Sequence, residues 1–137
     1  MPDNTIVDVA EAELRDLASR LTTPAAGECL LCYVHRMLEF GCDNQLRWAR
    51  RFRDLQAPRA TGLEERLGRV GGFCDCEIFL NGFELAPELW VRPEPVEDDG
   101  IVFQEDPHYP EPLPPCRGVR RGSTRGCTLW VRLRRGW

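Results

Sequence analysis

Seven cysteines are the residues best able to do chemistry in this 137-residue chain. Five stand in the first 82 residues: Cys29 and Cys32 as a C-x-x-C, Cys42 alone, and Cys74 and Cys76 as a C-x-C behind Gly71-Gly72. A zinc ion wants about four soft ligands placed tetrahedrally, and two close cysteine pairs from distant parts of a chain are a usual supply. The expectation is therefore a zinc site drawn from Cys29, Cys32, Cys42, Cys74 and Cys76, tying the 29–42 segment to the 74–76 segment. Two other readings stay open. The cysteines serve as small buried hydrophobes, or Cys29/Cys32 or Cys74/Cys76 form a redox dithiol. A redox C-x-x-C usually opens a helix after a strand; here Leu30 and Leu31 fill the gap and no strand pattern precedes.

Helix geometry separates the first pair from core filler. At 3.6 residues per turn, Leu30, Leu31, Tyr33, Val34, Met37 and Leu38 cover one side of a helix, with Cys29 and Cys32 on the other. Cys74 and Cys76 share a face with Ile78 and Leu80 in a period-two pattern, so chelation by both requires the chain to turn at Asp75. Cys42 precedes the start of a helix, which favours its thiolate. His35 lies one helical step from Cys32 and is a candidate ligand, although an exposed helix histidine is the simpler reading. His108 has no visible partner. Cys116 and Cys127 read as spare thiols rather than a second metal pair. No catalytic residue is assigned: there is no nucleophile elbow and no phosphate-binding glycine loop. Asp75 and Glu77 are expected on the exposed face of a strand.

The elements that must position these thiols follow from periodicity. Helices are expected over 8–22 (Leu14, Leu17, Leu21), 30–40 with Gly41 as terminator, 44–56 capped by Asp43 or Asn44, and from Thr61 to the Gly71-Gly72 stop. The third buries Leu46, Ala49, Phe52 and Leu55; the fourth opens with capping-box spacing at Thr61 and Glu64. Residues 73–80 alternate and predict a strand. Beyond Gly82, eight of the eleven prolines fall between Pro87 and Pro115 and exclude long helices. Short strands are expected at 88–92, 101–104 and 127–133, and the repeated Leu-Trp-Val-Arg at 89–92 and 129–132 suggests two paired strands.

Charge is segregated. All 18 basic residues are Arg, and the net charge of −4 conceals an acidic 83–115 block (nine acids, one Arg) beside a 116–137 block with seven Arg and no acid. The two blocks can neutralise each other, and nucleic acid is the rival partner of the second, where Trp130 and Trp137 interleave with Arg. No apolar run approaches the ~18 residues of a membrane span. The acidic start MPDNTIVDVAEAELRDL lacks a secretion pattern, so the expected location is the cytoplasm, where thiols stay reduced or bind metal.

The stretch GECLLCYVHRMLEFGCDNQLRWARRF, followed by LGRVGGFCDCEIFLN, resembles a bacterial domain-of-unknown-function family of small cysteine-containing proteins. The resemblance spans about residues 27–81, and its most specific piece is GGFCDCE. It implies a domain without an assigned activity, and points to Cys42, Cys74 and Cys76, with Cys29/Cys32 found in only part of the family. The family often follows its strand-ending Asn with an aliphatic residue; Asn81 here is followed by Gly82.

The expected architecture is α+β: a small four-helix N-terminal domain with a short strand (1–82), then an irregular proline-rich extension with short β-strands (83–137). The expected function is a structural zinc-binding interaction module with a protein partner. Thiol redox chemistry and nucleic-acid binding through residues 116–137 are the alternatives.

Overall fold

A computed structural model of the chain describes residues 5–134. Among the described residues, five α-helical segments are present: α1 (Thr5–Leu21), α2 (Leu30–Met37), α3 (Arg47–Gln56), α4 (Leu63–Arg69) and a single turn, α5 (Asp75–Glu77). Four short strands follow the pattern of two antiparallel pairs. Phe83–Leu85 (β1) pairs with Trp130–Arg132 (β4), and Val96–Asp98 (β2) with Ile101–Phe103 (β3). The chain is α+β. No helix among the described residues is long and apolar enough to cross a membrane.

The core is built where the apolar stripes meet. Leu30, Leu31, Tyr33, Val34 and Met37 of α2 face Trp48, Ala49 and Phe52 of α3, and Leu63 and Leu67 of α4 close the side. Leu85, Leu129 and Trp130 complete the same cluster, so residues beyond 82 share the core with the helices. Arg50 and Arg53 of α3 both reach Glu64 of α4. Helix α1 has no buried residue, and Leu14, Leu17 and Leu21 are exposed. It is held at its end, where the Tyr33 hydroxyl and the Arg51 Nε donate to the Thr22 carbonyl at 2.7 and 3.0 Å.

Several expectations are corrected. The strand over 73–80 is instead a helical turn, α5, running into a wider turn over Ile78–Gly82. Asp75, Ile78 and Gly82 are buried while Phe73 and Leu80 are exposed, a spacing of three and four that belongs to a helix. The cause is Asp75, whose side chain is drawn inward to α3. Neither Asp43 nor Asn44 caps α3; Asp43 accepts the Gln45 N–H at 3.0 Å, and the helix begins at Arg47 behind Leu46, which carries no capping oxygen. The Thr61–Glu64 capping box does not form, because α4 starts behind Gly62 and the Glu64 carboxylate is taken by the two arginines. Leu55 is exposed, while Trp48, absent from the expected stripe, is buried.

The two Leu-Trp-Val-Arg copies do not pair with each other. Trp130–Arg132 pairs with Phe83–Leu85, whereas Val91 exchanges two backbone bonds with His108, at 2.7 and 3.0 Å. Trp137 lies outside the described residues.

Candidate metal centres

The thiols gather into two groups rather than one. Cys29, Cys32, Cys116 and Cys127 form the first, with their sulfurs all within 4.8 Å of one another; Cys42, Cys74 and Cys76 form the second on the same criterion. All seven cysteines are free thiols. Either group can hold a metal ion. The expected ligands thus divide: Cys29 and Cys32 do not meet Cys42, Cys74 and Cys76, and they take Cys116 and Cys127 instead.

The four-thiol group grows from the start of α2. Cys29 occupies the position before the helix, and its sulfur accepts the Cys32 N–H at 3.3 Å in place of a capping oxygen. The apolar arc of α2 turns inward, which leaves Cys32 directed at the C-terminal segment. There Trp130 Nε1 donates to Cys32 Sγ at 3.2 Å, and Cys127 Sγ stands 3.7 Å from Cys32 Sγ. Cys116 is brought in by the chain itself: its sulfur accepts the Cys29 N–H at 3.3 Å and the Gly118 N–H at 3.4 Å. Val119 N–H then bonds the Gly27 carbonyl at 3.0 Å, which fastens the loop beside the site.

Donors aimed at sulfur favour thiolates. The Cys32 thiol, donating to the Cys29 sulfur, holds the Cys29 thiol down at about 5, against the burial that opposes it. The same bond pushes Cys32 up, and burial adds to the rise. Burial also raises Cys127, partly offset by the Arg117 and Leu129 backbone.

The three-thiol group is assembled by Asp75. Its carboxylate oxygens accept the N–H groups of Trp48 and Ala49 at 2.9 and 3.1 Å, and its own N–H donates to the Gln45 carbonyl at 3.1 Å. Asp75 thereby supplies from a distance the cap that Leu46 cannot give. With Asp75 fixed inward, its neighbours Cys74 and Cys76 emerge on the same side, their sulfurs 3.4 Å apart, next to Cys42. In the strand expected here the two would stand apart; the turn makes them adjacent. Burial pushes the Cys74 thiol up to about 12. Cys42 moves the other way: burial raises it, but hydrogen bonding from the Cys76 backbone and thiol, and from Asn44, brings it below its ordinary value.

Residues 30–81 match a family described as protein of unknown function (DUF2695). No curated protein and no solved structure matches the chain. The matched segment contains the whole three-thiol group but only Cys32 of the four-thiol group. The DUF2695-like segment therefore carries one thiol group by itself and shares the other with the residues around it.

His35 is in neither group. It lies among the rings of Phe79, Trp130 and Tyr109, at centroid distances of 5.2, 5.4 and 6.1 Å, and burial lowers its pKa. Cys116 and Cys127, expected to be spare thiols, are instead members of the four-thiol group. Their signal was arithmetic: one C-x-x-C needs a second pair, and these two supply it across ten intervening residues. Asp75, expected on an exposed face, is the one fully buried acid among the described residues.

Proposed function

We propose that the chain is a zinc-stabilised interaction module in which Cys29, Cys32, Cys116 and Cys127 hold one structural ion. The observation that carries this reading is the four sulfurs within 4.8 Å of one another. With Zn–S near 2.3 Å, a tetrahedral site has sulfur–sulfur edges of about 3.8 Å, and Cys32 and Cys127 stand at 3.7 Å. Four thiolates fill the coordination shell, as in structural sites, and soft sulfur ligands select zinc over magnesium or calcium. Four thiolates and Zn(II) leave a net charge of −2. The loop 117–126 between two of the ligands carries four Arg and no acid, which offsets it.

The role of the ion is to fasten that loop to the helices. Such a site contributes on the order of 10 kcal/mol to folding a small domain. Arg117, Arg120, Arg121 and Arg125 are then displayed on a backbone held at both ends, with Arg66 of α4 bonded to Thr124. This is the surface we assign to a partner, in a compartment that keeps thiols reduced. Its charge also favours nucleic acid as a second reading, through the described part of residues 116–137.

Elemental analysis with a thiol count on the same sample tests the proposal. Zinc is expected in the purified protein, a Cys127→Ser variant loses it from this site, and chelation lowers the melting temperature. Metal-free protein of unchanged thermal stability would overturn it. Replacing Arg120, Arg121 and Arg125 by Gln leaves the thiols in place and isolates the surface; salt-sensitive nucleic-acid binding that disappears in this variant marks the second reading as correct.

A further inference from the structure

We infer that Cys42, Cys74 and Cys76 form a second metal centre of a different kind: three thiolates around a soft metal ion, with a fourth position open to an external ligand. The centre is separate from the four-thiol group and stands without it. Its three sulfurs lie within 4.8 Å of one another, and no other Cys, His, Asp or Glu among the described residues joins them at that range. Tetrahedral ions held by three protein ligands keep a place for water or another small ligand, whereas four protein ligands close the shell. Thiolates alone in the donor set select Zn(II), Cd(II) or Cu(I) over hard cations.

The second observation is that hydrogen bonds join the segments that bear the three ligands. Asp75 stands between two of the ligands and is locked by three hydrogen bonds to residues 45, 48 and 49, the segment that follows Cys42. Asp43 turns that segment by accepting the Gln45 N–H, and the Gly71 carbonyl accepts the Asn81 amide at 3.0 Å, closing the far side of the turn. The segments bearing the ligands are thus fastened by protein contacts alone. The four-thiol group differs in its donor set: four sulfurs close the shell around an ion and leave no position for an incoming ligand. An ion that is not needed to hold its ligands together can leave without unfolding the chain, and the open position gives an incoming chelator or acceptor thiol a route to it. The three-thiol centre is accordingly a site of metal exchange, and the four-thiol group a site of metal retention.

The test loads the full chain with Zn(II), removes the excess, and measures zinc per chain by mass spectrometry of the element. Two zinc ions are expected in the wild type and one in Cys42→Ser. A moderate-affinity chromophoric chelator should take one equivalent from the wild type with no change in the thermal melt, and that equivalent is missing from Cys42→Ser. Loading the wild type with Cd(II) gives an answer that needs no variant: the thiolate-to-cadmium absorption should correspond to seven thiolates. An intensity of four, or identical zinc content and release in wild type and Cys42→Ser, would overturn the inference. Cys127→Ser keeps the two readings apart, since it should retain the exchangeable ion while losing the other.

Discussion

The carboxylate of Asp75 accepts the N–H of Trp48 at 2.9 Å, a helix cap supplied from 27 residues away in the chain. Its other oxygen takes the Ala49 N–H, so one buried side chain satisfies two amides that the start of α3 would leave without partners. Asp75→Ala removes both acceptors and should cost about 1–3 kcal/mol in chemical denaturation. Asp75→Asn keeps one acceptor and should cost less. Equal stability of Asp75→Ala and wild type would show that the cap carries no weight. Both variants should also weaken zinc uptake by the adjacent Cys74 and Cys76.

His35 gives the fold a defined acid sensitivity. Burial among three aromatic rings lowers its pKa below 6.5, so the unfolded chain binds a proton more readily than the folded one. Its contribution to stability is complete above pH 6.5 and is lost as the pH falls through the depressed folded value. His35→Phe keeps an aromatic body and removes the titration. The stability difference between this variant and wild type should therefore shift in the variant's favour on acidification from about pH 7 to about pH 5, the interval in which His side chains titrate. A difference that stays constant over that range would refute the assignment.

Metal entry into the four-thiol group should release protons unevenly. Cys29, held at about 5, is ionised at neutral pH and has none to give, whereas Cys32 and Cys127 are raised and must lose theirs. Calorimetric zinc titrations at pH 7 in buffers of different ionisation enthalpy count these protons. With Cys42→Ser, in which only the four-thiol group should take zinc, at least two protons are expected per ion, from Cys32 and Cys127. Fewer than that would show the thiols to be ionised before the metal arrives.

What could be read from the sequence was local. The α2 arc follows from helical spacing alone, as does the placing of Cys32 off that arc, although Cys29, expected off the core side with it, is fully buried in the core; Gly71, at a φ of +83°, ends the fourth helical segment where a residue without a side chain was required. The alternation over 73–80 misled because period two and the first turn of a helix differ little over so few residues. The residue that decides between them, Asp75, responds to the start of α3. That partner is tertiary and leaves no mark on local pattern. The pairing of Cys29/Cys32 with Cys116/Cys127 was hidden for the same reason, since the choice among seven thiols is made by how β4 returns to β1. The isolated exposure of α1 was equally unreadable, because an apolar stripe shows that a helix forms and says nothing of what meets it.

The wide sequence separation within the four-thiol group bears on the order in which the protein is made. The three-thiol group has all its cysteines once residue 76 has been synthesised, but the four-thiol group waits for Cys127. A nascent chain folds from its N-terminal side and contacts between distant residues form late. The helices can therefore settle around the Asp75 cap while Cys29 and Cys32 are still without their partners. In the zinc-bound form proposed above, metal would then lock those four thiols only after the helices have settled, and a chain truncated anywhere before Cys127 lacks the complete group.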